Sequence, residues 1–437
     1  MTHSFRSLRP QANTIDTLKL QPLVIDQLAT GHPIFYGEPS SVGVVRVELF
    51  WPNGTKQQSK PYQASLALDL LLSGDDTHTE YEVIRYLDHL GASHSTETHL
   101  LGSSLVFRCH KKYLFDVSRW IFTHVNTANY PKNEFENAVM IRKGSLERQQ
   151  QTPKYWSSRL ALESLYGKSH VLGSHGDLID YQTIQQSDLL EYKSKYLGLE
   201  SAMLFVSGDY NASDVGHLEK LLLDFPSTGF AINYGGMESA PQGLSTENHK
   251  IEHSRIIHPI ENTTQTSLQM VSHIEPKDQK ERNSLTLLNL VLGGYFGSRL
   301  MQILREEKGL TYGIGSYFRP AFQNYTWTIS GELNSNHIGE SIQCIEEIFA
   351  SLKKSAISPI ELYKIKQYYA GQFRSGFDGP FALSSKIQNL LYRGLPMDYY
   401  HSLLSDIWAI SAEEIMEAAN NYLDPKSFIT VLSGNIH

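Results

Sequence analysis

The chain has 437 residues, 41% hydrophobic and 19% charged, with a formal net charge of −8. That length exceeds one ordinary hydrophobic core, so two or more domains are expected. The acidic balance argues against a general nucleic-acid binder, whose domain would be basic, and two widely separated cysteines leave no disulfide framework or CxxC site.

From the N-terminus, Met1 to Ser7 leads into no apolar core of a signal peptide, and no run of 18 apolar residues follows. A cytoplasmic protein without a membrane span is expected. Ala64 to Gly74 reads as an apolar core helix. Thr79-Glu80-Tyr81-Glu82 has the form of a capping box, opening a helix that ends near Gly91. Ser103 to Cys109 is strand-like. Phe135 to Ile141 is helical and runs into the basic pair Arg142-Lys143. Phe225 to Glu252 is rich in Gly, Ser, Pro and Asn and reads as a linker. Gln265 to Leu268 starts a strand, and Thr326 to Gly331 forms another. Ser358-Pro359-Ile360-Glu361 caps a long helix towards Phe373. Cys109 and Cys344 read as small buried hydrophobes.

The chain repeats itself. Tyr196-Leu197 followed by Ser201 to Asp209 matches Tyr422-Leu423 followed by Ser427 to Asn435, with identical internal separations. Ser157-Ser158-Arg159-Leu160 answers Ser384-Ser385-Lys386-Ile387, and Ile184 answers Ile410. Leu66 to Gly74 answers Thr286 to Gly294, and Gly91 roughly answers Gly309. Two homologous halves of domain size follow: residues 1–225, a linker at 226–252, and 253–437. Helices and strands mix without a regular βαβ rhythm, so the fold class is α+β.

The most specific motif is Leu292-Gly293-Gly294-Tyr295-Phe296-Gly297-Ser298-Arg299-Leu300, running on through Leu304-Arg305 and Gly309-Leu310-Thr311-Tyr312. It reads as a helix end, a glycine-rich turn, a second helix and a turn into a strand. It resembles the C-terminal half of the pitrilysin/insulinase family of zinc peptidases. The resemblance implies two homologous α/β-sandwich halves, as in insulinase and the mitochondrial processing peptidase. It also implies that Arg305 and Tyr312 hydrogen-bond a peptide near its scissile carbonyl, positioning it and stabilising the developing oxyanion. Gly293, Gly294, Gly297 and Ser298 are implied to line the substrate chamber. A helix C-cap and tight turn is the plain structural alternative for the glycines, and a salt-bridged Arg with a core Tyr for the pair.

The first half of that family carries His-x-x-Glu-His, two zinc ligands one helical turn apart around a general base. Here Ser65 and Asp69 stand at the ligand positions and Leu68 at the base. Leu68 cannot accept a proton, and Ser with Asp is a poor zinc pair at neutral pH. Arg142-Lys143 falls where the third, acidic ligand is expected; Glu147 is the nearest acid downstream. His78, His89, His94 and His99 crowd one region and His249, His253 and His258 another, but none sits in zinc-motif register, and solvated or core histidines is the reading.

The resemblance therefore implies a non-catalytic subunit of a heterodimeric zinc peptidase. Zinc would sit on the partner, and this chain would hold no metal or cofactor. Arg305 and Tyr312 would reach peptide at the partner's site, with peptide extended along an edge strand. The alternative is an inactive peptide-binding or structural homologue, a homodimer or scaffold. An active peptidase with an unusual metal site is disfavoured by the ligand positions. The expected companions are a homologous zinc subunit or a second copy, and a peptide; no nucleic acid and no membrane.

Overall fold

The computed structural model describes residues 24–229, 255–321 and 324–436. Most of the 226–252 linker, with His249 and His253, lies outside them. The first half runs β1 (Val24–Gln27), β2 (Pro33–Tyr36), β3 (Val44–Trp51), α1 (Gln63–Asp69), α2 (Glu80–His89), β4 (Ser93–Thr98), β5 (Ser103–His110), α3 (Leu114–Thr127), α4 (Lys132–Gln149), α5 (Pro153–Tyr166), α6 (Asp180–Thr183), α7 (Gln186–Tyr196), β6 (Met203–Gly208) and α8 (Ala212–Leu221). The second runs β7 (Arg255–Pro259), β8 (Gln265–Ile274), α9 (Gln279–Asn289), β9 (Thr311–Ala321), β10 (Asn324–Asn334), α10 (Ile338–Lys354), α11 (Pro359–Ser375), α12 (Leu383–Arg393), α13 (Tyr399–Ala409), α14 (Ala412–Tyr422) and β11 (Ile429–Gly434).

The strands form two mixed sheets, ordered β1-β2-β6-β3-β5-β4 and β7-β11-β8-β10-β9. Apart from β1 the two are the same sheet. Each has one parallel pair, β2 with β6 and β7 with β11, followed by antiparallel neighbours. The sequence repeat is thus a structural one, and the fold is α+β with two homologous halves. Gly208 and Gly434 end the equivalent strands β6 and β11 with φ of +101° and +136°. A Cβ on either would strike a backbone carbonyl oxygen, of Val44 or of Gln265, at 2.2 or 2.6 Å. Both copies therefore require glycine.

The helix starts follow the caps. Thr79 and Glu82 make the reciprocal capping box of α2, and Ser358 caps α11 through the Glu361 N–H. β10 is longer than its apolar stretch because pairing with β8 and β9 extends it to Asn334. Both cysteines are buried.

Alternation along the central strands shows what covers the sheets. In β3, Val45, Val47, Leu49 and Trp51 enter the first core, beneath α1, α2 and α3. Phe50 faces the other way and packs with Phe35, Met203 and Phe205 against Ile387 and Leu391 of α12, a helix of the second half. In β8, Leu268, Met270 and Ile274 enter the second core, whereas Val271 packs on Ala161, Leu165 and Tyr166 of α5, a helix of the first half. The halves exchange helices. The polar contacts repeat the exchange. The Ser157 hydroxyl donates to the Ser267 hydroxyl (2.9 Å), and the Gln269 amide donates to the Ser158 hydroxyl (3.0 Å). On the other sheet, Gln388 donates to buried Glu48, which also accepts from Arg46 at 2.6 Å. The matched Ser-Ser segments 157–158 and 384–385 therefore lie on the two exchanged helices.

Phe205 sits at one exchange contact, stacked on Phe35 (4.7 Å between centroids) and edge-on to Phe50 (5.9 Å). Phe205→Ala is expected to cost about 3–5 kcal/mol, the range for a buried aromatic emptied to a cavity. Chemical denaturation measures this; a change under about 1 kcal/mol would mean that the exchanged helix is not held by this face.

Candidate functional site

In the second half, α9 runs on from Asn289 into a wide π-helical turn, Leu290–Gly294, and a second π-helical segment spans Met301–Glu307. The sequence signals a helix end and a turn here, but not the widened winding. Leu292, Leu300 and Leu304 are fully buried and pin the segment to the core. Between them and β9, Arg305 and Tyr312 turn outward. Tyr312 is 83% exposed. The two line one cavity of about 680 Å³ together with Thr264, Gln265, Glu306 and Asn334. Glu306 lies 3.5 Å from the Arg305 Nε, and the guanidinium carbon sits 5.4 Å from the centroid of the exposed Phe296 ring. Tyr312 is therefore no core aromatic, and Arg305 has one exposed carboxylate neighbour and a ring beneath it.

The glycine-rich turn is used differently from the expectation. Gly293 and Ser298 are buried, and none of Gly293, Gly294, Gly297 and Ser298 lines the Arg305–Tyr312 cavity. A Cβ at Gly293 would lie 2.7 Å from Ser316 and Leu300. Gly293 lets β9 approach the widened helix, which is a packing role. Gly297 lets the Tyr295 ring fold across its backbone. These four residues shape the turn that presents Arg305 and lie outside the wall of the cavity it shares with Tyr312.

In the first half, Leu68 is fully buried in the core, while Ser65 and Asp69 face outward from α1 towards α4. There Arg142 meets them. Its Nη1 donates to the Ser65 hydroxyl (2.8 Å), its Nη2 to the Ser65 carbonyl (3.3 Å), and Nη2 also pairs with the Asp69 carboxylate. Thr96 of the edge strand β4 donates to the other Asp69 oxygen. Burial pushes the phenol of the neighbouring Tyr181 up, and Arg142 pulls it part of the way back. Glu147 lies five residues beyond Arg142, about 140° round the helix, and is exposed.

Of the basic pair on α4, Arg142 is the residue opposite Ser65 and Asp69, and its guanidinium bridges them. The residues do not fit zinc. The site offers one hydroxyl and one carboxylate already committed to a fixed cation, and a divalent ion beside that guanidinium would be repelled. Leu68, at the position expected for the general base, cannot accept a proton, and the Asp69 carboxylate is engaged by Arg142 and Thr96.

Among the described residues, Asp75, His78 and His124 are the one cluster with metal-type donor atoms within reach of each other. Its chemistry is internal capping. The Asp75 carboxylate accepts from the Thr77 N–H and hydroxyl, the His78 N–H, the Thr127 hydroxyl and the His124 Nδ1. Burial raises the Asp75 carboxyl, but these hydrogen bonds outweigh it and hold it well below the usual carboxylate range. A metal on that side would take Nδ1 of His124 and move its proton to Nε2, which is buried without a partner. His89, His94 and His99 do not join the cluster, and His258 stacks on Trp156 at 4.6 Å. Sequence proximity missed the 49-residue contact between Asp75 and His124.

Residues 183–369 match the family model described as the Peptidase M16 inactive domain. The chain thus carries a segment similar to the peptidase M16 inactive domain. It is 22% identical over 356 residues to an uncharacterised zinc protease, YmxG, of Bacillus subtilis, covering 79% of this chain and 82% of that one. It is 22% identical over 300 residues to the non-peptidase homolog YmxG of Helicobacter pylori, covering 67% of this chain and 65% of that protein. The crystal structure of a peptidase M16 inactive domain from Pseudomonas fluorescens superposes with a TM-score of 0.79 at 19% identity, over 95% of this chain and 98% of that one. No helix among the described residues is long and apolar enough to cross a membrane.

Arg142→Ala should leave Asp69 without its cation and lower stability by about 1 kcal/mol, a modest figure because the Asp69 side chain is 45% exposed and water screens the pair. Arg142→Lys should recover only part of this, since an ammonium cannot span hydroxyl, carbonyl and carboxylate at once. Urea unfolding of the three proteins measures it; full recovery by Lys would reduce the bridge to a simple ion pair.

Proposed function

We propose that this chain is the non-catalytic subunit of a heterodimeric M16-type zinc peptidase, binding peptide and presenting Arg305 and Tyr312 to it at a partner's zinc. One observation carries the reading. Arg142 occupies the ground where the resemblance expects metal ligands, while Arg305 and Tyr312 stand at the surface of a shared cavity. Arg305 keeps its charge at any working pH, and the Tyr312 hydroxyl can donate a hydrogen bond. Donors fixed beforehand around a developing oxyanion stabilise it without having to reorganise. The partner is a homologous subunit with an intact His-x-x-Glu-His; zinc, water activation and the general base belong to it.

The inactive homodimer or scaffold is the second reading. The B. subtilis relative is called a zinc protease and the H. pylori relative a non-peptidase homolog, and both lie at 22% identity. The names therefore do not choose between the readings.

The test is a tagged copy of this chain, recovered from its host with whatever binds it and assayed for peptide cleavage. A zinc-bearing homologous companion is expected. The double variant Arg305→Ala, Tyr312→Phe should assemble normally but cut about 100-fold more slowly, the scale for loss of oxyanion donors. Cleavage at an unchanged rate would remove both residues from the mechanism, and recovery of a homodimer alone would favour the scaffold.

A further inference from the structure

Two cavities flank α5. One, of about 580 Å³, lies beside the Arg142 bridge and is lined by Lys56, Lys60, Ser65, Gln149, Tyr155 and His175, among others. The other, of about 430 Å³, lies where α5 crosses the second sheet, with Lys154, Ser158, Gln269, Arg319, Thr328 and Ser330 in its wall. Neither has an Asp or Glu among its lining residues, on a chain of net charge −8. Two other cavities mix the signs. The cavity at Lys277 and Lys280 also holds Asp278, Glu281, Glu414 and Glu417, and Arg305 has Glu306 beside it.

Lys60 is committed to Asp188 at 2.7 Å. Lys56, Lys154 and Arg319 make no ion pair among the described residues, and Lys154 and Arg319 are exposed. Arg319 rests 5.1 Å from the centroid of the Tyr317 ring, so its planar cation is held in place. The His175 Nδ1 is engaged with the Gly173 carbonyl oxygen at 2.9 Å and lies 3.9 Å from the buried Glu163 carboxylate behind the wall, leaving Nε2 as the second polar atom of that ring. Hydroxyl and amide donors complete both walls. A carboxylate entering a recess whose unpaired charges are cationic exchanges water for charge-assisted hydrogen bonds.

We propose that these two cavities hold acidic peptide segments, with carboxylates against Lys56 in the first and against Lys154 and Arg319 in the second. The proposal rests on the peptide-binding reading above and adds the class of peptide. The position that binds a divalent cation in zinc-bearing relatives has here become the rim of an anion-accepting surface.

The experiment uses the full chain and three labelled peptides of equal length, Glu-rich, Gln-rich and Lys-rich, followed by fluorescence anisotropy at low and physiological salt. The Glu-rich peptide should bind about tenfold more tightly than the Gln-rich one, with the difference shrinking in salt. The double variant Lys56→Gln, Arg319→Gln should lose that preference while keeping its thermal midpoint. Lys154→Gln, an exposed change, should give a smaller loss in the same direction. Equal binding of all three peptides overturns the acidic preference and leaves peptide binding standing. A preference that survives in the double variant also overturns it. Binding of none overturns both.

Discussion

Each central sheet is buried on both faces, and both must be covered. The chain meets this constraint by exchange: α5 leaves the first half to cover β8 and β11, and α12 leaves the second to cover β3 and β6. Much else depends on it. The exchange locks the halves together through aromatic stacking at Phe205 and buried polar contacts at Glu48 and Gln269. It also brings α5 and the segment after it beside α1, where Tyr155 and His175 share a cavity wall with Ser65. The two acid-free cavities exist because α5 crosses there.

Within that frame, a guanidinium joins α4 to α1. Arg142 satisfies the oxygens of Ser65 and Asp69 with a fan of directed hydrogen bonds. Thr96 of β4 completes the network, so helix, facing helix and edge strand stay joined as a bound ion would join them. What is lost is the ability to polarise water, because the guanidinium has no open coordination position. The second half keeps the opposite balance: its buried leucines anchor the segment, and its two polar ends remain free to meet a ligand.

The fold was legible where side-chain spacing is local. The doubled segments at 196–209 and 422–435 became equivalent strands, and the Thr79 and Ser358 caps opened the helices they announced. Arg305 and Tyr312 could be picked out because the motif around them is contiguous. The Arg142 bridge could be suspected but not placed. A helix signal is uncertain by a residue or two, and one residue on α4 turns a side chain by about 100°. For the glycines the sequence left chamber lining and tight turn both open, because it shows that a position lacks a side chain but not what fills the space; at Gly293 it is β9. The helix exchange left its trace in the matched Ser-Ser pairs, yet which sheet each pair would meet is a long-range fact. The Asp75–His124 contact spans 49 residues and had no sequence signal at all.

The account stands on an arginine in place of a metal, and the most direct test is the metal content of this chain by itself. The chain purified alone, equilibrated with excess zinc at neutral pH and desalted, should carry zinc far below one ion per chain by elemental analysis. Arg142→Ala should not restore it, because Ser65, Leu68 and Asp69 still lack the ligands. One tightly held zinc per chain, lost on replacing Asp69, would contradict the account and return the catalytic centre to this subunit.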